Sequence, residues 1–184
     1  GGSAAAGAGV LLAPRPGRPP RAAWVHGLAN PNCGCPASGS GSGYTWAENS
    51  RENQLTPWSN DPVSDRPGEV IYVRDENDGA LWTPTALPIR ETTPYIVTHG
   101  QGFSRFEHTA HDLSLALLQF VPLEDPIKIS RLTIRNESDR PRRLSVTAYV
   151  EWVLGASRAA TAPYVVTEIS PGSRAVLSRT HCRA

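Results

Sequence analysis

From Glu69 onward the chain runs in short alternating stretches, each closed by a turn signal, and this rhythm excludes most folds. Arg143 to Val153 is the cleanest stretch. Leu144, Val146, Ala148, Val150 and Trp152 fall on one face, and Ser145, Thr147, Tyr149 and Glu151 on the other. A period of two is the signature of a strand with one covered face. Glu69 to Arg74, Tyr95 to His99, Phe103 to Thr109 and Asp112 to Val121 follow the same rule. Asn77-Asp78-Gly79, with Ala80 to Thr83 returning, and Gly100-Gln101-Gly102 read as hairpin turns, because these residues tolerate the positive φ of tight turns. Pro126 to Arg135 alternates through Ile127 and Ile129, then shifts to Leu132 and Ile134, which predicts a bulge near Ser130 and Arg131. No segment keeps a helical spacing over three turns, and seventeen Pro and sixteen Gly interrupt the chain. The expectation is an all-β, antiparallel two-sheet sandwich.

A chain of 184 residues can bury one sizeable core. Residues 1–23 are Gly, Ala, Pro and Arg in low complexity, a composition that cannot offset its ordering entropy. They read as disordered, residues 24–178 as the sandwich and residues 179–184 as an aberrant tail. The chain contains no Met, so it reads as a piece of a larger protein or an incomplete gene model. The net charge of +1 is unevenly spread. Residues 41–125 hold five basic against thirteen acidic residues, and residues 126–184 ten against four. The basic charges of the last third alternate with apolar residues along strands, as on a solvated sheet face, and no nucleic-acid motif accompanies them.

Three cysteines, Cys33, Cys35 and Cys182, make an odd count without a disulfide framework. Cys33-Gly34-Cys35 has no second pair and no adjacent His, so no zinc site is expected. His108 and His111 sit three apart on a strand or turn, where their imidazoles face different ways and lack a third ligand. Gly39, Gly41 and Gly43 are followed by neither Lys-Ser/Thr nor a helix, which excludes a P-loop. No apolar run spans a bilayer, and Val10 to Ala13 is too short for the core of a signal peptide.

One segment escapes the alternation. Gly39 to Asp65, GSGSGYTWAENSRENQLTPWSNDPVSD, gathers Tyr44, Trp46 and Trp58 with amides, hydroxyls and the carboxylates Glu48, Glu52, Asp61 and Asp65. Flat aromatics beside hydrogen-bonding groups suit a hydroxylated, flat-faced ligand such as a sugar. An ordered surface loop, with aromatics on a sheet and Asn and Asp in turns, explains the same residues and has the better odds on composition alone. Paired carboxylates are also what glycosidases use, but spacing along a loop does not give separation in space, and solvent-facing acids are the commoner case.

The same segment resembles the N-terminal β-sandwich region of glycoside hydrolase family 94, formerly glycosyltransferase family 36, in particular the phosphorylase-like part of cyclic β-1,2-glucan synthases. GEVIYVRD (68–75), LWTPTALP (81–88), HGQGFSRFEHTAH (99–111), FVPLEDPIKISRLTIRN (120–136) and RPRRLSVTAYVEWVLG (140–155) continue the likeness in register. The resemblance implies a supersandwich of the galactose-mutarotase type, and because PYVVTEI (163–169) still follows the family while SRTHCRA (178–184) does not, it implies truncation at the C-terminal end. It implies a parent enzyme that acts on β-linked glucosides by inverting phosphorolysis, with inorganic phosphate as co-substrate and no other cofactor. The family's catalytic Asp and phosphate site lie in a separate (α/α)6 barrel, so this domain is expected to be inactive alone. Its implied role is support and carbohydrate contact. The contact residues are then Trp46, Arg51, Asn53, Trp58, Asp61 and Arg105, with no catalytic residue and no metal. Arg105, which can reach a sugar or phosphate, can equally pair with Glu107. The implied partners are a β-glucan or glucoside, the parent's barrel and a second copy in a homodimer, with neither nucleic acid nor membrane contact. The implied location is the cytoplasm, with the parent at the bacterial inner membrane. Two rivals stand beside this reading: a self-sufficient enzyme using the loop carboxylates, and a purely structural fragment.

Overall fold

The computed structural model describes residues 3–5, 9–12, 25–61 and 63–181. It is built almost wholly of antiparallel strands. The largest sheet has six. Its inner strands are β8 (Tyr95–Gly100), β9 (Phe103–Ala110) and β10 (Leu113–Phe120), followed by β11 (Ile129–Asn136) at one edge. At the other edge lie β1 (Ser3–Ala5) and β2 (Gly9–Leu12), with Val10 opposite His99. A second sheet orders β12 (Leu144–Val150), β6 (Glu69–Asp75) and β7 (Leu81–Trp82). A third orders β3 (Val25–Ala29), β4 (Cys33–Ser38) and β5 (Trp46–Ala47). One helical turn, α1 (Arg158–Thr161), is capped by Ser157, and a separate hairpin pairs β13 (Val165–Ile169) with β14 (Val176–Thr180).

The alternation sets the core. On the large sheet Val97, Phe106 and Leu117 point inward and meet Ala37 of β4, with Ile71 and Leu132 beside them. Farther along, Leu113 and Leu115 meet Val73 and Trp82. The six-stranded sheet is thus one layer, and the two smaller sheets cover its inner face at opposite ends. Full burial of Phe106, Leu115 and Trp82 supplies the hydrophobic stabilisation, about 1.5–3 kcal/mol for a side chain of the Val–Phe class. Turn chemistry matches expectation: Gly79 and Gly102 take φ of 78° and 79°.

Four expectations need correction. Strands occupy Ser3–Ala5 and Gly9–Leu12, inside the segment read as disordered; the rest of residues 1–23, and Trp24, lie outside the described residues. No bulge forms at Ser130 and Arg131, because β11 begins at Ile129 and pairs without interruption from Phe120↔Ile129 to Leu113↔Asn136. Ile127 lies before the strand, so the change of phase belongs to the loop. Ser178, Arg179 and Thr180 continue β14 opposite Val165 to Thr167, where a tail was read from residue 179; Cys182 lies outside the described residues. Finally, β12 ends at Val150 instead of Val153, because Val153 and Gly155 bond to Leu55 and Gln54 of the aromatic loop. Its apolar face is also largely open, with Val146 at 52% and Val150 at 36% exposure.

Candidate functional site

The aromatic loop is a ribbon tied down at three levels. Thr45 and Leu55 pair through the Leu55 N–H and Thr45 C=O, and Ala47 donates to the Asn53 carbonyl. Asn49 closes the tip, its side-chain oxygen accepting from the N–H groups of Arg51 and Glu52. The Trp46 indole lies flat on Gly34 of β4; a Cβ there would sit 2.3 Å from the ring, so the close approach requires glycine. Pro57 covers Gly68 in the same way.

The base of the ribbon is held by a network that sequence reasoning missed. Glu69, at the start of β6, accepts from Thr45 Oγ1 at 2.6 Å and Thr56 Oγ1 at 2.7 Å, and pairs with Lys128. Burial pushes its carboxyl up, but the Lys128 charge and the hydroxyl hydrogen bonds outweigh this and hold it below the usual carboxylate range. Its partners come from three separate segments, so no local pattern in the sequence pointed to it.

The loop therefore presents its residues unequally. Trp58 is half-buried and meets Tyr44 with ring centroids 5.3 Å apart at 31°, forming a tilted aromatic pair on the rim. Trp46 is half-buried against Gly34. Arg51 and Asn53 are exposed, with Arg51 paired to Glu52 at 3.3 Å. Asp61 caps a turn. It accepts from the Ser64 hydroxyl and the Val63 N–H, and these bonds lower its carboxyl. Asp65 is buried and accepts from Ser38 at 2.6 Å. Each loop carboxylate is thus exposed or committed to a turn, a salt bridge or a buried hydroxyl.

Arg105 does not join this group. Ser104 and Phe106 face the covered side of the six-stranded sheet, so Arg105 faces the other, where it pairs with Glu107 at 2.7 Å. The His pair divides as its spacing predicted. His108 stacks on Tyr95 at 3.8 Å inside the core, whereas His111 contacts Glu91 and the Trp82 ring at the hairpin end. Among the described residues no group of three His, Cys, Asp or Glu side chains is placed to hold a metal. Cys33 and Cys35 are free thiols buried in β4, and burial raises Cys35 to about 11. No helix among the described residues is long and apolar enough to cross a membrane.

A second buried polar cluster lies between β3 and the large sheet. His26 and His99 both contact the Ser104 hydroxyl through Nδ1, at 3.1 and 3.0 Å. Burial, with a smaller contribution from His26, lowers His99 to about 4.

The described residues thus form an antiparallel all-β sandwich with a stiffened aromatic loop on its rim. The comparison with known families makes this specific: the supersandwich domain model of glycosyl hydrolase 94 matches residues 11–184, and the chain belongs to that family. It is 42% identical over 156 residues to the cyclic β-(1,2)-glucan synthase NdvB of Rhizobium meliloti (strain 1021), which covers 84% of this chain and 6% of that protein. It is 29% identical over 134 residues to the N,N'-diacetylchitobiose phosphorylase of Vibrio furnissii, covering 71% of this chain and 17% of that protein. It is 37% identical over 85 residues to the solabiose phosphorylase of Paenibacillus borealis, covering 46% and 11%. The chain thus spans a small part of the curated relatives it matches.

Proposed function

We propose that this domain supports, without catalysing, an enzyme acting on β-linked glucans of the cyclic β-1,2-glucan synthase type, and that its aromatic loop contacts carbohydrate. The Tyr44–Trp58 pair carries the reading. Two aromatic rings are held half-exposed on a ribbon that Glu69, Gly34 and Gly68 fix from below. Such a platform is preorganised, so little ordering entropy opposes binding. Arg51 and Asn53 are exposed on the same loop and add donors to it, Arg51 beyond the one it gives Glu52. Asp61 contributes by shaping the turn, and Arg105 belongs to a separate surface. The identity to a glucan synthase supports the substrate class, and the phosphorylases among the relatives support phosphate as co-substrate of the whole enzyme. A catalytic unit elsewhere in that enzyme, in the cytoplasm, completes the proposal.

The test is a titration of the chain with β-1,2-linked glucooligosaccharides, followed by indole fluorescence and by amide shifts. Weak binding is expected, with Kd about 1 mM as befits one small platform, shifts confined to the loop, and loss of the signal in Trp58→Ala. Absence of loop shifts at saturating sugar would remove carbohydrate contact from the role.

A further inference from the structure

The tip of the aromatic loop holds one residue in a backbone conformation that its type does not favour. The Asn49 N–H donates to the Ala47 carbonyl at 2.6 Å, so Glu48 is the centre of a three-residue γ-turn, with φ of 60°. The positive-φ form of this turn is rare and strained. Asn60 and Asp65 also take positive φ in the loop, but Asn and Asp tolerate it and Glu does not. Glycine would hold the same turn without strain, yet the position carries a carboxylate. Strain of this kind persists only where the surroundings over-determine it, and it concentrates at ligand contacts.

The surroundings do fix this turn. The Glu48 N–H donates to the Asn32 carbonyl at 2.7 Å. Asn32 is itself held by the Asn30 side chain, whose oxygen accepts from the N–H groups of Asn32 and Cys33. The Tyr44 hydroxyl reaches the Ser50 carbonyl, two residues beyond Glu48. Trp58, Tyr44 and the tip are therefore joined by direct contacts, and Glu48 is anchored where that row ends.

The other loop carboxylates are spoken for. Glu52 pairs with Arg51, Asp61 accepts from Ser64 and Val63, and Asp65 accepts from Ser38. Glu48 is exposed and its side chain has no hydrogen bond or ion pair among the described residues. We propose that Glu48 is the hydrogen-bond acceptor of the aromatic platform: its carboxylate takes the protons of two adjacent hydroxyls on a neutral sugar that lies on Tyr44 and Trp58. Two carboxylate oxygens with about four lone-pair sites match such a pair of donors. The charge selects against saccharides that carry a carboxylate or phosphate of their own. This assignment rests on the reading of the loop as a carbohydrate platform, and it separates a residue kept for binding from one kept for folding.

Titration of the full chain with β-1,2-linked glucooligosaccharides, read by amide shifts and paired with thermal melts, tests it. Glu48→Gly should raise Kd about tenfold, the worth of a hydrogen bond to a charged group. It should leave the melting temperature unchanged or raise it by up to about 4 °C, because the strain is relieved. Glu48→Gln keeps one acceptor oxygen and should fall between in affinity. Sugar binding that Trp58→Ala abolishes but both Glu48 variants retain at full strength would overturn the assignment and leave the platform standing. A Glu48→Gly chain that binds less and also melts lower would make Glu48 a structural residue and overturn it too. An unaltered chain with no loop shifts at saturating sugar would remove the platform, and Glu48 with it.

Discussion

Phe106 and Val146 occupy equivalent places in the alternating pattern, yet one is 1% exposed and the other 52%. Phe106 lies on β9, in the middle of the six-stranded sheet and under β4; Val146 lies on β12, at the open side. The contrast shows what a period of two reports. It says which side chains share a face and nothing about what covers that face. The closed half derives its stability from packing, whereas the open half is held by backbone pairing to β6 and by the Asp75–Arg142 ion pair at its start.

The largest test of this division is truncation in the closed half. Phe106→Ala should cost about 3–5 kcal/mol in chemical denaturation, because Val97, Leu117 and Ala37 cannot collapse into the space. A loss below about 1 kcal/mol would mean the two halves are equally loose.

The polar joint between the halves comes next. Lys128→Met leaves the Glu69 carboxylate buried with only two hydroxyl donors. Removing one partner of a buried pair typically costs about 3 kcal/mol or more. The companion Glu69→Gln/Lys128→Met, which removes both charges, should recover most of that loss. A double variant as unstable as the single one would show that packing, not charge, holds the loop.

Between pH 6.5 and 4 acid should act first on the closed half, through its buried histidines. Native His99 stays neutral to about pH 4, whereas the unfolded chain takes up a proton near 6.5. The unfolded state thus binds more protons across that interval, and stability falls as pH drops from 6.5 to 4, by up to about 3 kcal/mol. His26 and His108, also lowered by burial, act in the same direction. Glu69 and Asp75 are held low by their partners and lose their contribution only at lower pH. His99→Gln should flatten the slope between pH 6.5 and 4; an unchanged slope would assign it to other groups.

Legibility in the sequence follows the same division of causes. β6, β8, β9, β10 and β12 could be read because each has one face different from the other, and their hairpins because Gly79 and Gly102 mark them. β4 could not. Its CGCPAS stretch is buried almost throughout, so small residues on both faces leave no period to detect. The loop's aromatics stood out by composition, and the Arg105–Glu107 pair by its spacing. The tilted contact of Trp58 with Tyr44 and the three donors that converge on Glu69 depend on residues far apart in the chain, which only the tertiary fold brings together.

Trp58→Ala lies between the halves in expected cost. A half-buried indole tilted against one ring should account for about 1 kcal/mol of stability. In a full-length parent the same change should lower turnover or domain docking by a larger factor than that stability loss explains. Measuring both on one variant separates a platform from a core residue: a loss of about 3–5 kcal/mol with unchanged turnover would place Trp58 in the core.

The smallest effect sharpens the comparison most. Val146→Thr keeps β-branching and volume but places a hydroxyl where the alternation assigns core. In a buried site the swap leaves that hydroxyl short of partners and costs about 1–3 kcal/mol. At 52% exposure the hydroxyl meets water, so dilute protein should unfold within about 0.5 kcal/mol of the parent. Val73→Thr, on the adjacent strand and opposite Val146, should show the buried value, since Val73 is fully covered by Trp82, Leu113 and Leu115. The pair shares a sheet, a cross-strand register and a chemistry, so a difference between them isolates coverage. Equal costs at the two sites in dilute solution would mean that the open side is already closed in the single chain.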